Sequence, residues 1–296
     1  MVSLFLSTIK MVLNAKIHAT AIVENTVIVG HNVEIGPYCV LSGNIFIGDN
    51  TKIREHVAID GNVKIGSDCD IFPFASIGFG PQGYEQKHPD SQLIIGNKNI
   101  IREGVTISGG SPKDNLVTKI GNNCLFMAYS HVAHDCILAD NIILANNVAL
   151  AGHVIIENNA IIGGNSAIHQ FVKIGQFAMI GGMSGLTKDI LPFTMYISHH
   201  QSEDLSMHSG IMGVNIVGLK RAKMSRNDIL ELVAFYNNFL NHPENKNEKS
   251  LSLLQKYNKY QHLITNKNNK SAIKNFIDIK SHQGFYREML KVRHLH

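Results

Sequence analysis

The stretch SHVAHDC, residues 130–136, sets His131 and His134 three apart, puts Asp135 beside the second histidine and Cys136 next. Imidazole and thiolate groups so close in sequence could hold a zinc ion. A neutral imidazole oriented by a carboxylate could instead take a proton from an attacking hydroxyl or amine, the carboxylate fixing the tautomer and stabilising the imidazolium. A solvated turn rich in histidine is the third reading. His153 and its neighbour Gly152 in LAGHV, and His169 and Gln170 in AIHQF, add polar groups further along, and a glycine amide beside a base is a suitable donor to an oxyanion. Which chemistry applies depends on the elements that carry these residues.

Every sixth residue from Ile17 to Ile77 is Ile, Val or Leu, eleven in succession. With about a third of residues large and apolar, such a run arises by chance on the order of 1 time in 100,000 or less. Neither the 3.6 period of a helix nor the 2 period of a simple strand predicts it. The step breaks at GFGPQGYEQKHPDSQL, read here as a loop replacing one full turn, and resumes in phase at Ile95. It breaks again at SGGSPKDNLVTK, slips by one, and runs through twelve apolar positions from Ile120 to Leu186. Glycine often follows the apolar residue, where a tight corner needs unusual backbone angles. This is the hexapeptide signature of a parallel β-helix, three sixes to a triangular coil and neighbouring coils about 4.8 Å apart.

The repeat assigns residues 17–195 to a mainly β, hexapeptide-repeat β-helix with loops at 79–93 and 108–119, after an N-terminal extension at 1–16. Residues 196–224 read as a connection, and 225–296 as a small α-helical C-terminal domain with helices in SRNDILELVAFYNNFLN, SLSLLQKYNKYQHLI and SAIKNFIDIK. Cys39, Cys69, Cys124 and Cys136 each fall four residues after an apolar step, the small inward position, so they fill the core and imply no disulfide.

Residues 18 apart lie one above another in such a helix, so Asp135 stacks under His153, with His134 one position off that column. His169 and Gln170 lie close to two coils above Asp135, and all four histidines avoid the inward positions. Ligand spacing differs from that of gamma-class carbonic anhydrases, hexapeptide helices that bind zinc through three histidines. An aspartate beside His134 suits proton chemistry better, and no metal is expected.

Charge adds a second signal. Of a formal net charge of +4, residues 219–296 hold 15 Lys/Arg against 6 Asp/Glu, whereas residues 1–218 hold 12 against 17. A basic C-terminal face fits an acidic partner or a solvated helical surface. The opening MVSLFLSTIKMVL lacks a basic leader region and is interrupted by Lys10, and no run approaches the roughly 18 apolar residues that span a bilayer. The expectation is a cytoplasmic protein that is not integral to a membrane, with Met11 as an alternative start.

HVAHDC, LANNVALAGHV, AIHQF and GVNIVGLKR, in that order, resemble the UDP-N-acetylglucosamine acyltransferases that begin lipid A synthesis in Gram-negative bacteria. The resemblance runs from about Ile17 to the C-terminus. It implies a left-handed β-helix, a homotrimer with sites between subunits, and transfer of a 3-hydroxyacyl group from acyl carrier protein to the sugar 3-hydroxyl. The acyl carrier protein would dock on the basic helical domain; no cofactor beyond this acylated co-substrate and no nucleic acid is implied. His134 would be the general base, Asp135 its partner and the Gly152 backbone the oxyanion donor. His131, His153, His169, Gln170 and Gln82 would line the donor and acceptor pockets, Asn215 and Arg221 would hold the nucleotide, and Met179, Gly182 and Met183 would border the acyl chain.

Some positions depart from the family's usual residues. The first loop reads PQGYEQ where relatives commonly read PQDxKY, so Gly83 and Glu85 stand in place of Asp and Lys. Gly109-Gly110 replaces an Arg-Gly pair, Val217 an acidic residue and Ala222 an arginine. Three alternatives therefore stand beside the leading reading: a paralogue acylating a different UDP-sugar or a UDP-amino sugar, an acetyl-CoA-dependent nucleotide-sugar N-acetyltransferase, and a binding scaffold without turnover.

Overall fold

The structure is a computed structural model and describes residues 14–83, 88–112, 116–198, 210–240, 251–279 and 281–285. The alternative start at Met11, the loop position Glu85, residues 199–209 of the connection and the chain from 286 onward lie outside the described residues.

Among the described residues, strands of two to five residues sort into sheets of eleven, nine and eight strands, each coil giving one strand to each sheet in turn. The pairing is parallel except where Thr194–Ile197 meets Gly210–Val214 at the end of the prism. On the first sheet the inward column reads Ile17, Ile35, Ile53, Ile71, Ile101, Phe126, Leu144, Ile162 and Ile180, each opposite the next. From Ile35 onward these side chains and the four cysteines belong to one continuous buried core, against which the half-buried Ile17 packs. Burial raises the thiol of Cys124 to about 11 and that of Cys136 to about 12, so neither is a thiolate at neutral pH.

Backbone angles correct the reading of the glycines. At most corners the residue three after the inward one is in the left-handed region, and most of these are Asn, Asp, His, Phe or Tyr: Asn32, Asn50, Asp68, Asp135, His153 and Phe171 are six of them. Of the glycines that follow the apolar step, only Gly78 (φ +84°) is in that region. The others answer to close stacking: a Cβ on Gly48 would lie 2.6 Å from the Gly66 carbonyl carbon, and one on Gly66 2.6 Å from that of Gly96.

The first loop does not replace a whole turn. Ile77 stands opposite Ile107, thirty positions on where an uninterrupted coil has 18, so twelve residues are inserted into one coil. Twelve is two sixes, which is why the phase survives. The second insertion adds seven, pairing Ile107 with Val132, and seven is a six plus the observed slip of one. Strands reach further into both interruptions than the spacing indicates, starting again at Gln92 and at Val117. Both insertions leave the same edge of the prism, between the nine-stranded and eight-stranded sheets, and the next coil turns that edge at Ala133–Cys136.

After the prism come α1 (Ile216–Arg221), α2 (Arg226–Leu240), α3 (Leu253–Tyr260) and α4 (Lys267–Asp278). The short α1 falls inside the segment read from sequence as connection. Ser252 and Gln255 form a reciprocal capping box on α3, and Asn266 caps α4, so polar side chains satisfy the amides that open these helices. Leu219, Leu232, Phe235, Phe239, Tyr257 and Phe276 pack with Leu191 and Phe193 into a second core. The Tyr236 hydroxyl donates to the Pro192 carbonyl at 2.7 Å, joining α2 to the last coil. No helix among the described residues is long and apolar enough to cross a membrane.

Candidate active site

Asp135 is the fixed point of the site. It turns the corner in the left-handed conformation (φ 59°), its amide donates to the Thr118 hydroxyl at 2.8 Å, and its side chain is only 2% exposed. One carboxylate oxygen accepts the Ser111 amide at 2.9 Å and the other faces His134 Nδ1 at 2.8 Å. An ionised carboxylate only accepts, so His134 carries its proton on Nδ1 and keeps the Nε2 lone pair free. His134 is 24% exposed and lines a cleft of about 470 Å³.

The next coil closes on that ring. Gly152 follows His134 by 18 residues, and a Cβ there would lie 2.7 Å from His134 Nε2 and 2.5 Å from Cε1, so only glycine fits against this imidazole. The Gly152 amide has no hydrogen-bond partner among the described residues, because the ladder uses the His153 amide on the His134 carbonyl instead. His153 stands directly over Asp135, with Nε2 3.7 Å from the carboxylate and its ring edge-on to His134 at 5.1 Å.

His131 lies on the strand before the corner, its Nδ1 2.6 Å from the Thr106 hydroxyl. Burial holds its pKa below the ordinary histidine value and the neighbouring His134 adds to the effect, so it is neutral at pH 7. His134, Asp135 and His153 bring ligand atoms within 4.8 Å of one another. Those of His134 and Asp135 are already hydrogen-bonded together, and the second Asp135 oxygen is held by Ser111. Such an arrangement can serve as a base with its orienting carboxylate, since His134 Nε2 has no hydrogen-bond partner among the described residues and His134 lines the cleft.

The bacterial transferase hexapeptide family (six repeats) matches residues 118–152. The acyl-(acyl-carrier-protein)-UDP-N-acetylglucosamine O-acyltransferase of Bartonella bacilliformis is 41% identical over 249 residues, covering 84% of this chain and 88% of the relative. The chain belongs to the UDP-N-acetylglucosamine O-acyltransferase family. The family member of Bartonella tribocorum is 50% identical over 214 residues, 72% of this chain and 76% of its own length. The LpxA structure from Acinetobacter baumannii superposes with a TM-score of 0.82 at 36% identity, covering 92% of this chain and 99% of that one. The fold is accordingly the left-handed parallel β-helix of these acyltransferases followed by a small helical domain.

In this family member the cleft gathers Gln82, His131, His134, His153 and Gln170, together with Pro81, Gly83, Ser111 and Ala133. The other residues carried over by resemblance do not line this cleft: His169 is on the same edge beside Gln170, and the rest lie elsewhere on the single chain. His169 is exposed, with Nδ1 3.1 Å from the Gln170 carbonyl. Asn215 is the N-cap of α1, its Oδ1 accepting from Gly218 and its Nδ2 donating to Phe177, on a second edge of the prism. Arg221 is exposed in the last turn of that helix. Met179 faces outward on the eleven-stranded sheet, and Gly182 and Met183 turn the third edge, Met183 59% exposed.

Spacing alone missed Thr106, Ser111, Thr118 and Phe171. Phe171 was within reach, since it follows His153 by 18 and stacks on it at 4.5 Å. Thr106 follows from the seven-residue slip, which sets it opposite His131. Ser111 lies in the inserted loop, where the six-step carries no positional information.

Proposed function

We propose that this chain transfers a 3-hydroxyacyl group from acyl carrier protein to the 3-hydroxyl of UDP-N-acetylglucosamine, the first step of lipid A synthesis, with His134 as general base. The observation that carries the mechanism is the 2.8 Å contact between His134 Nδ1 and Asp135, which leaves Nε2 free at the cleft. Nε2 takes the proton of the sugar hydroxyl as its oxygen attacks the thioester carbonyl. Asp135 stabilises the imidazolium, and the unused Gly152 amide is available to the oxyanion. Collapse of the tetrahedral intermediate breaks the carbon–sulfur bond, and the imidazolium returns its proton to the departing thiolate. Acylated carrier protein is the only co-substrate this route needs.

Three edges of the prism carry three groups of residues: His134 and Asp135 on one, Asn215 beside Phe177 on another, Gly182 and Met183 on the third. They meet only if neighbouring copies contribute, which supports a homotrimer with sites between subunits. The excess of cations in residues 219–296 supports docking of the acidic acyl carrier protein there, in the cytoplasm where acyl carriers are loaded.

One observation favours a second acceptor. Gly83 lines the cleft, and a Cβ built on it meets nothing within 4 Å among the described residues, at a position where relatives commonly carry an aspartate. A UDP-sugar bearing a 3-amine would meet no charged side chain from that position. Mass spectrometry of products from a panel of acyl carrier proteins, acetyl-CoA, UDP-N-acetylglucosamine and its 3-amino analogue tests both readings. A 3-hydroxyacyl ester on UDP-N-acetylglucosamine is expected; an amide formed only on the amino analogue supports the second reading, and transfer from acetyl-CoA alone overturns both.

A further inference from the structure

The C-terminal chain returns to the catalytic edge. Helix α4 ends at Asp278, and the carbonyl of the next residue, Ile279, accepts from Lys173 Nζ at 3.2 Å. Lys173 is 4% exposed and also faces the Phe276 ring at 5.1 Å, so a buried cation ties the end of α4 to the prism. Beyond it, residues 281–285 run along the edge that carries the base. Gly284, in the left-handed region at φ +74°, turns the segment: its amide donates to the Ser281 hydroxyl and its carbonyl accepts the Asp189 amide, each at 2.8 Å. Phe285 bridges Asp189 as a one-residue strand.

Ile190 pairs with Ile174, sixteen residues before it, so Asp189 lies beside Lys173, whose amide donates to its carboxylate at 2.8 Å, in the coil after the column of Asp135, His153 and Phe171. Gln283 Nε2 donates to the carbonyl of Gln170, a residue of the cleft wall, at 2.9 Å. The His282 ring lies 5.4 Å from that of Phe171, which stacks on His153 at 4.5 Å and 17°. Phe171 is a bulky residue at φ 66°, a conformation that costs free energy for such a side chain and persists where packing holds it.

We propose that segment 281–285 is a strap that positions the cleft wall, with Gln283 acting through Gln170 and His282 acting through Phe171 on His153. Neither residue touches the reacting atoms; both are positioning residues for sugar-nucleotide binding. The base is anchored independently by Asp135 and Ser111, so the strap governs KM more than kcat. The kinetic form of this proposal rests on the acyltransferase reading.

The test uses the full chain and the variants His282→Ala, Gln283→Ala, their double and His282→Phe. Steady-state transfer from 3-hydroxyacyl carrier protein should show KM for UDP-N-acetylglucosamine raised about three- to tenfold in the double variant, with kcat within about twofold. His282→Phe should hold KM near the wild-type value, and thermal midpoints should stay within about 2 °C. An unchanged KM in the double variant, a rise that His282→Phe shares, or a rise that tracks a fallen midpoint overturns the strap. The His153 ring resonances, read by NMR without substrate, should move in His282→Ala and much less in His282→Phe. That readout stands even if wild-type protein transfers no acyl group: inactivity with shifted resonances removes the acyltransferase reading alone, and unmoved resonances remove the strap.

Discussion

At the scale of the residue, the corner is built so that one nitrogen is free. Gly152 is the sharpest point of this construction, since any side chain there would occupy the space of His134 Nε2. Gly152→Ala should therefore fold but lose at least about 10²-fold in kcat, the contribution of a positioned base, and retention of kcat would mean that His134 is not held as described. His131 gives a pH-dependent expectation. Its folded-state pKa is depressed by burial, so the unfolded chain binds the proton first as pH falls below the ordinary value of about 6.5. Stability from this group is complete above that pH and is lost as pH falls toward the folded-state value. Thermal midpoints between pH 7.5 and 5 should accordingly fall less in His131→Asn than in wild type; equal slopes would show that His131 is not buried neutral. The adjacency of His134 and Asp135 was legible in the sequence because a corner keeps neighbours together. Ser111 was not, because a loop amide has no signature.

At the scale of the element, the six-residue step conveyed nearly the whole prism, since it is the burial pattern itself: each inward Ile, Val or Leu faces its counterpart one coil away. Backbone conformation was less legible. Glycine after the apolar step suggests unusual angles, whereas the left-handed corners belong to residues such as Asn50 and His153, and the glycines relieve contact between coils. Gly48→Ala should thus destabilise the prism by about 1–3 kcal/mol through overpacking, since the new Cβ would press on the Gly66 carbonyl carbon at 2.6 Å. A midpoint equal to wild type would return the glycines to a conformational role. The inserted twelve residues kept the phase and so resembled a replaced coil, a distinction that only the pairing of Ile77 with Ile107 reveals. Helix α1 escaped because six residues are too few for a periodic apolar face to register.

At the scale of the whole molecule, charge and assembly complete the account. Docking of an acidic carrier protein on residues 219–296, proposed above from their surplus of Lys/Arg, would be an electrostatic event. KM for acyl carrier protein should rise several-fold between about 0.05 and 0.3 M salt as the Debye length shortens, while KM for the sugar nucleotide changes far less; a parallel response would place the carrier elsewhere. The measurement that bears most directly on the central claim is the rate of 3-hydroxyacyl transfer to UDP-N-acetylglucosamine by wild type and by His134→Ala under single-turnover conditions. A general base predicts formation of the ester by wild type and a loss of about 10²- to 10⁴-fold in the variant, with UDP-N-acetylglucosamine still bound. Transfer at the wild-type rate by His134→Ala would contradict it.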